Sequence, residues 1–170
     1  MKVIAILMII AACSVVGFEI SNGFARRTKN LRLWKDALRI LEAEIVYSQT
    51  PIIQVFQKLS KQLPKPMKEL FAQLAKEVAD ERGDLYEIWS EKLEDFSKIS
   101  HLKTEDVEIL KQFGRTLGKY DILQHEKQIQ LTLTHLDRKA AEANEQNAKF
   151  GKMSRALGVL SGIFIALLLL

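Results

Sequence analysis

Through the middle of the chain the apolar residues recur every three or four positions, which is the spacing of one face of an α-helix. Leu31, Trp34, Leu38, Leu41 and Ile45 form the first stripe, with Arg32, Lys35, Arg39 and Glu42 off it, and predict a helix ending near Thr50-Pro51. Thr50 suits an N-cap with Pro51 in the first helical position, opening a second helix on Ile52, Phe56, Leu59 and Leu63. The stretch Leu63-Pro64-Lys65-Pro66 breaks it. Met67, Leu70, Phe71, Leu74 and Val78 predict a third helix stopping near Arg82-Gly83, where glycine suits a left-handed terminus. Asp84, with Glu87 three residues on, predicts the cap of a fourth that turns Leu85, Ile88, Trp89, Leu93, Phe96 and Ile99 inward. A fifth opens at Thr104-Glu105-Asp106, with acids at the positive end of the dipole, buries Val107, Leu110, Gly114 and Leu117, and ends at Gly118. The sixth begins after Asp121 on Ile122, Ile129, Leu133 and Leu136, thins to Ala140 and Ala143, and meets no proline before Leu170. It reads as one continuous stalk.

The two ends abandon this alternation. From Ala156 to Leu170 no residue is charged, and Ile163, Phe164, Ile165 and Leu167 to Leu170 are all large and apolar. Leaving those side chains in water forgoes roughly 10 to 20 kcal/mol at about 1.5 to 3 each, more than the stability of an ordinary domain. The helix therefore enters a bilayer or, in the rival reading, a protein core or oligomer interface. The uncharged run rises about 22 Å against a hydrocarbon core of about 30 Å, and Met153, Ser154 and a snorkelling Arg155 extend it. A second uncharged run, Val3 to Phe18, lies at the other end, and two such runs around a polar middle point to a doubly anchored protein. The predicted fold is all-α, a six-helix antiparallel bundle flanked by N- and C-terminal transmembrane helices. Residues 1–22 form the first anchor, 24–153 the bundle and 154–170 the second anchor.

Charge sets the orientation. Arg26, Arg27, Lys29, Arg32, Lys35 and Arg39 follow the first run, opposed by Glu19 and Asp36, whereas only Lys2 and the amino terminus precede it. Lys149, Lys152 and Arg155 precede the last run and nothing basic follows. By the positive-inside rule both flanks place the bundle in the cytoplasm and the termini outside. The formal charge of +4 and pI near 9.1 are then an edge meeting anionic lipid, and nucleic acid is not an expected partner. Gly158 and Gly162 make a small-xxx-small face suited to approaching Cys13 and Gly17 of the first anchor, or a neighbouring subunit.

Composition agrees with long helices, with 48% apolar residues, 27% charged, 8 glycines and 3 prolines among 170. The single cysteine, Cys13, excludes an internal disulfide. Lys2, a short apolar core and Ile10-Ala11-Ala12-Cys13 imitate a lipoprotein signal. The apolar continuation Ser14-Val15-Val16-Gly17-Phe18 argues against it.

Catalytic chemistry is sparse. His101, His125 and His135 lack metal-ligand spacing. The segment from Gly114 to Lys119 is one residue short of a phosphate loop and follows a helix, and Tyr120 stands where a magnesium-binding hydroxyl would be needed. Glu42 and Glu44 point about 200° apart on a helix and form no acid-base pair. Glu42 is expected to meet Arg39, and Glu44 to be partly buried with Tyr47 or Ser48. No catalytic residue, cofactor or metal site is assigned.

The blocks LEAEIVYSQTPI (41–52), LKQFGRTLGKYD (110–121) and the run from QIQLTLTHLDRK at 128 to the end resemble the stage III sporulation protein AB family of endospore-forming bacteria, across essentially the whole chain. The resemblance implies a bundle similar to the six-helix cytoplasmic domains of the F component of type II secretion platforms. It also implies a place in the channel between mother cell and forespore, in the outer forespore membrane with the bundle facing the mother-cell cytoplasm, beside a cytoplasmic secretion-type ATPase and other membrane subunits. No catalytic residue carries over. The expectation is a non-enzymatic platform subunit with the bilayer, the ATPase, channel subunits and a second copy of itself as candidate partners. Arg39, Glu42, Glu44, Arg115, Lys119 and Asp121 are the candidate partner-facing residues. The alternative is an exported lipoprotein, or a membrane-anchored helical adaptor unrelated to secretion.

Overall fold

A computed structural model describes residues 2–81, 83–117 and 122–168, with side chains over 8–81, 83–117 and 124–168. Among these residues there are six α-helices and no strand: α1 (Lys2–Glu42), α2 (Ile52–Gln62), α3 (Met67–Ala79), α4 (Leu85–Ser100), α5 (Thr104–Gly114) and α6 (Ile122–Leu168), with a π-helical turn, Ala43–Tyr47, after α1. The chain divides into two compact units, Met1–Thr28 with Ala141–Leu170, and Lys29–Ala140. Helices α1 and α6 each contribute to both. Helix α1 runs unbroken through Ser21-Asn22-Gly23, because one glycine inside a helix costs only about 1 kcal/mol, little against the contacts that Ser21, buried here, makes on one side.

The Lys29–Ala140 unit is organised around aromatic side chains drawn from five helices. Leu31, Trp34, Leu38 and Leu41 of α1 are fully buried, and Trp34 meets Phe71 at 5.7 Å, Trp89 at 5.8 Å and Phe96 at 5.9 Å between ring centroids, all edge-on. Phe56 of α2 lies against Phe71 and Trp89, and Phe113 of α5 stands edge-on to Trp89 at 5.9 Å. Each such pair adds about 0.5 to 1.5 kcal/mol to the burial of its rings. The Trp89 Nε1–H donates to Leu110 O at 2.9 Å, which ties α4 to α5. Gly114 passes so close that a Cβ there would stand 2.1 Å from Trp89 Cδ1.

Helix ends differ in detail from the sequence pattern. The π-helical turn closes with the Ser48 N–H and hydroxyl both donating to Ala43 O at 3.2 Å. Pro51 is the N-cap of α2 rather than its first residue, and the Thr50 hydroxyl donates to Glu44 Oε2 at 2.8 Å instead of capping. Helix α3 ends at Ala79, and the left-handed residue after it is Glu81 (φ 51°), not Gly83. Asp84 caps α4 by accepting from Tyr86 N at 3.2 Å. Asp106, buried in the first turn of α5, accepts from Lys103 N at 2.9 Å. Ile99 is 59% exposed, contrary to its place in the apolar stripe. At about 100° per residue it lies about 80° from Trp89, whereas Ser100 lies within about 20° of both Trp89 and Leu93, and Ser100 is the buried residue. Helix α5 ends at Gly114 and residues 115–117 form a turn, four residues short of the predicted end at Gly118. Arg82, Gly118 and Asp121 lie outside the described residues.

Candidate functional site

In the unit formed by the chain ends, α1 and α6 lie antiparallel and pair in a regular register. From one end to the other, Ile10 meets Gly162, Cys13 meets Gly158 and Gly162, Gly17 meets Ser154 and Gly158, and Ser21 meets Gly151. Phe24 then stacks on Phe150 at 6.2 Å, and the Arg27 guanidinium donates to Gln146 Oε1 at 3.1 Å. Glycine is what lets the backbones touch. A Cβ on Gly17 would lie 2.7 Å from Ser154 O, one on Gly158 would lie 2.9 Å from Cys13 O and from Gly17 Cα, and one on Gly162 would lie 3.0 Å from Ile10 Cα. Those neighbours are backbone atoms, which cannot rotate aside. In a bilayer, where burying apolar surface gives no net drive, close backbone approach is the main source of helix association.

The structure thus brings Cys13, Gly17, Gly158 and Gly162 together within one chain. Sequence reasoning missed Ser21, Gly151, Ser154 and Ala166, which extend the same seam. The signal was present in α6 as small residues at every third or fourth position: Ala143, Asn147, Gly151, Ser154, Gly158, Gly162 and Ala166. The outer faces are apolar and bare, with Val15, Val16, Phe18, Ile20, Leu157, Leu160, Phe164 and Leu168 all exposed. Helices α1 and α6 are long and apolar enough to cross a membrane, and only 11% and 17% of their apolar windows are covered by protein. That coverage is too low for core helices.

The basic residues separate into different environments. Arg26 is exposed and pairs with Glu19 at 3.8 Å. Arg27 is buried against α6, where Gln146 also donates to Glu142 Oε1 at 3.1 Å. Lys149 lies over the Phe150 ring at 5.5 Å, Lys152 is exposed, and exposed Arg155 donates through Nε to Gly151 O at 3.3 Å. Lys29 and Arg32 are exposed on the other unit's part of α1.

Among the described residues, each candidate partner-facing side chain engages a neighbour within the protein. Arg39 reaches Asp36 at 4.0 Å. Glu42 accepts from Gln130 Nε2 of α6 at 2.6 Å rather than meeting Arg39. Glu44 accepts from Lys58 Nζ at 2.6 Å and from Thr50, rather than from Tyr47 or Ser48. The Lys58 ammonium first, and the Thr50 hydroxyl second, hold the Glu44 carboxyl below its ordinary 4.5. Arg115 donates to the Tyr86 hydroxyl at 3.1 Å and lies over its ring at 5.3 Å; that hydrogen bond raises its pKa further. Lys119 and Asp121 lie outside the described residues. Among the described residues no three His, Cys, Asp or Glu side chains converge to hold a metal ion.

This architecture defines the class: an all-helical protein with a candidate membrane-spanning helix at each end. Residues 2–170 match the family described as stage III sporulation protein AB, and the chain belongs to that family. It is 35% identical over 170 residues to the stage III sporulation protein AB of Bacillus subtilis (strain 168), spanning 100% of this chain and 99% of that protein. The solved structure of a stage III sporulation protein AB superposes with a TM-score of 0.67 at 34% identity, over 72% of this chain and 96% of the other. The chain is a sporulation protein, and its two candidate membrane helices associate it with the membrane.

Proposed function

We propose that the protein is a non-enzymatic platform subunit of the channel between mother cell and forespore. The α1–α6 pair anchors it in the outer forespore membrane, and the bundle on the mother-cell side docks a cytoplasmic secretion-type ATPase. The single observation that carries the reading is the helix pair itself: it closes within one chain through glycine contacts, with exposed Arg26, Lys149, Lys152 and Arg155 gathered at one end. That end suits an anionic cytoplasmic surface. Cys13 packs against Gly158 and Gly162 inside the helix pair, the placement an uncleaved anchor would use.

The test is binding of the purified ATPase to the full-length protein in lipid nanodiscs. Saturable association at micromolar concentration without turnover by the subunit supports the proposal. Absence of association, or labelling of the bundle by reagents confined to the exterior of the mother cell, overturns it.

A further inference from the structure

The α1–α6 pair carries an open furrow on one side, about 420 Å³ in volume, lined by Cys13, Val16, Gly17 and Ile20 of α1 and Ser154, Leu157, Gly158 and Ser161 of α6. We propose that this furrow is the seat of a single transmembrane helix belonging to a different membrane protein. The inference rests on the platform reading and specifies where another membrane subunit binds.

Charge distribution around the pair carries the argument. At about 100° per residue, Arg155, Lys152 and Lys149 lie roughly 110°, 170° and 130° from the centre of the furrow on α6. Glu19 and Arg26 lie roughly 110° and 130° from it on α1. Arg27 points to the furrow side, but it is only 3% exposed and is held by Gln146. The furrow face is therefore bare of exposed charge where the apolar runs end, while the other faces carry the cations and the acid that meet headgroups. Cations at the membrane edge are drawn to anionic headgroups, and a face covered by another helix has no headgroups to meet.

Shape selects the kind of helix. Gly17 and Gly158 leave backbone at the furrow floor, the surface that close helix approach requires. Val16, Ile20 and Leu157, each more than half exposed, form its walls. A second copy related by a two-fold axis would present the same concave patch to itself, so hollow would face hollow. One convex helix from another polypeptide fills the furrow.

The experiment places p-benzoylphenylalanine at Val16 or Leu157, on the furrow walls, and at Val15 or Val159, on the far side, in the full-length chain in sporulating cells. Irradiation is expected to give one discrete adduct from the wall positions, mapping by peptide mass spectrometry to an apolar membrane segment of a different protein. The far-side yield is expected to be lower by at least about tenfold. Ser161→Phe fills the furrow without touching the Gly17–Gly158 contact, and should suppress the adduct by a similar factor while helicity and ATPase binding persist. Adducts to lipid alone, adducts to a second copy, or equal yields from both faces overturn the inference. Failure of ATPase binding with furrow adducts intact would sink the platform reading and leave this one standing.

Discussion

Replacing Gly114 with alanine sets local propensity against packing. Alanine is the better helix former by about 1 kcal/mol, so α5 taken alone should gain. The core dictates the reverse, because the added methyl would lie 2.1 Å from Trp89 Cδ1, 2.5 Å from Nε1 and 2.8 Å from Cγ. Trp89 has little room to yield, since it is fully buried among Trp34, Phe56 and Phe113. Overpacking a core costs about 1 to 3 kcal/mol. If the indole turns away to relieve it, the N–H leaves Leu110 O, and a stranded buried donor costs about 1 to 3 kcal/mol more. After the helical gain is set against these, the expected loss centres on about 3 kcal/mol. In a chain of this size that lowers Tm by roughly 6 to 12 °C. Thermal melts of the full-length protein in detergent, followed by far-ultraviolet circular dichroism and by tryptophan fluorescence, measure it. An unchanged or raised Tm for Gly114→Ala would refute the reasoning, because it would mean that the indole and α5 are not in contact as described.

Three further outcomes are expected. Gly158→Ala and Gly17→Ala each push backbone against backbone and should weaken the α1–α6 pair by about 1 to 2 kcal/mol, read as reduced formation of a disulfide between cysteines engineered at Phe24 and Phe150 in a Cys13→Ser background. Asp106→Ala removes the acceptor of the Lys103 N–H in a buried turn and should cost about 1 to 3 kcal/mol, measured by urea unfolding, with Asp106→Asn losing less. The carboxyls of Glu44, Asp95 and Glu105 are held below their ordinary values by hydrogen bonds from Lys58, Lys98 and Lys139. Their contribution is therefore present above the unfolded pKa and is lost as pH falls through the lower folded one. Tm measured from pH 6 downward should begin to fall near 4.5, and Lys58→Met should shrink the part of that fall owed to Glu44.

Much of the bundle was readable from residue spacing. Leu31, Trp34, Leu38, Leu41, Phe56, Leu59, Met67, Phe71, Leu74, Leu93, Leu110, Ile129 and Leu136 are all buried at the positions their stripes assign. Helical periodicity is a local property, and the face it marks must be covered by something. The stripe failed at Ile99, where the last turn of α4 carries the residue round to the surface while Ser100 takes the inward place. Apolarity alone cannot register that drift.

The candidate site was less legible, for a reason visible at Glu42 and Glu44. Sequence reasoning sought their partners one helical turn away, where the chain guarantees neighbours. The structure supplies Gln130 from α6 and Lys58 from α2 instead, and no local rule encodes which distant helix arrives opposite a given carboxylate.

By itself the order of residues determined that the chain is helical, where most helices begin and end, and that both ends are too apolar to remain in water. Those properties come from backbone geometry and from the free energy of exposing hydrocarbon, which act over a few residues. Only the tertiary structure decided that Gly17 and Gly158 face each other within one chain, that Gly114 lies against Trp89, and that a furrow stays open beside Cys13. A glycine signals permission for close approach. What approaches is chosen by packing among segments far apart in the chain, where the shape of one surface is defined only once the other has folded against it.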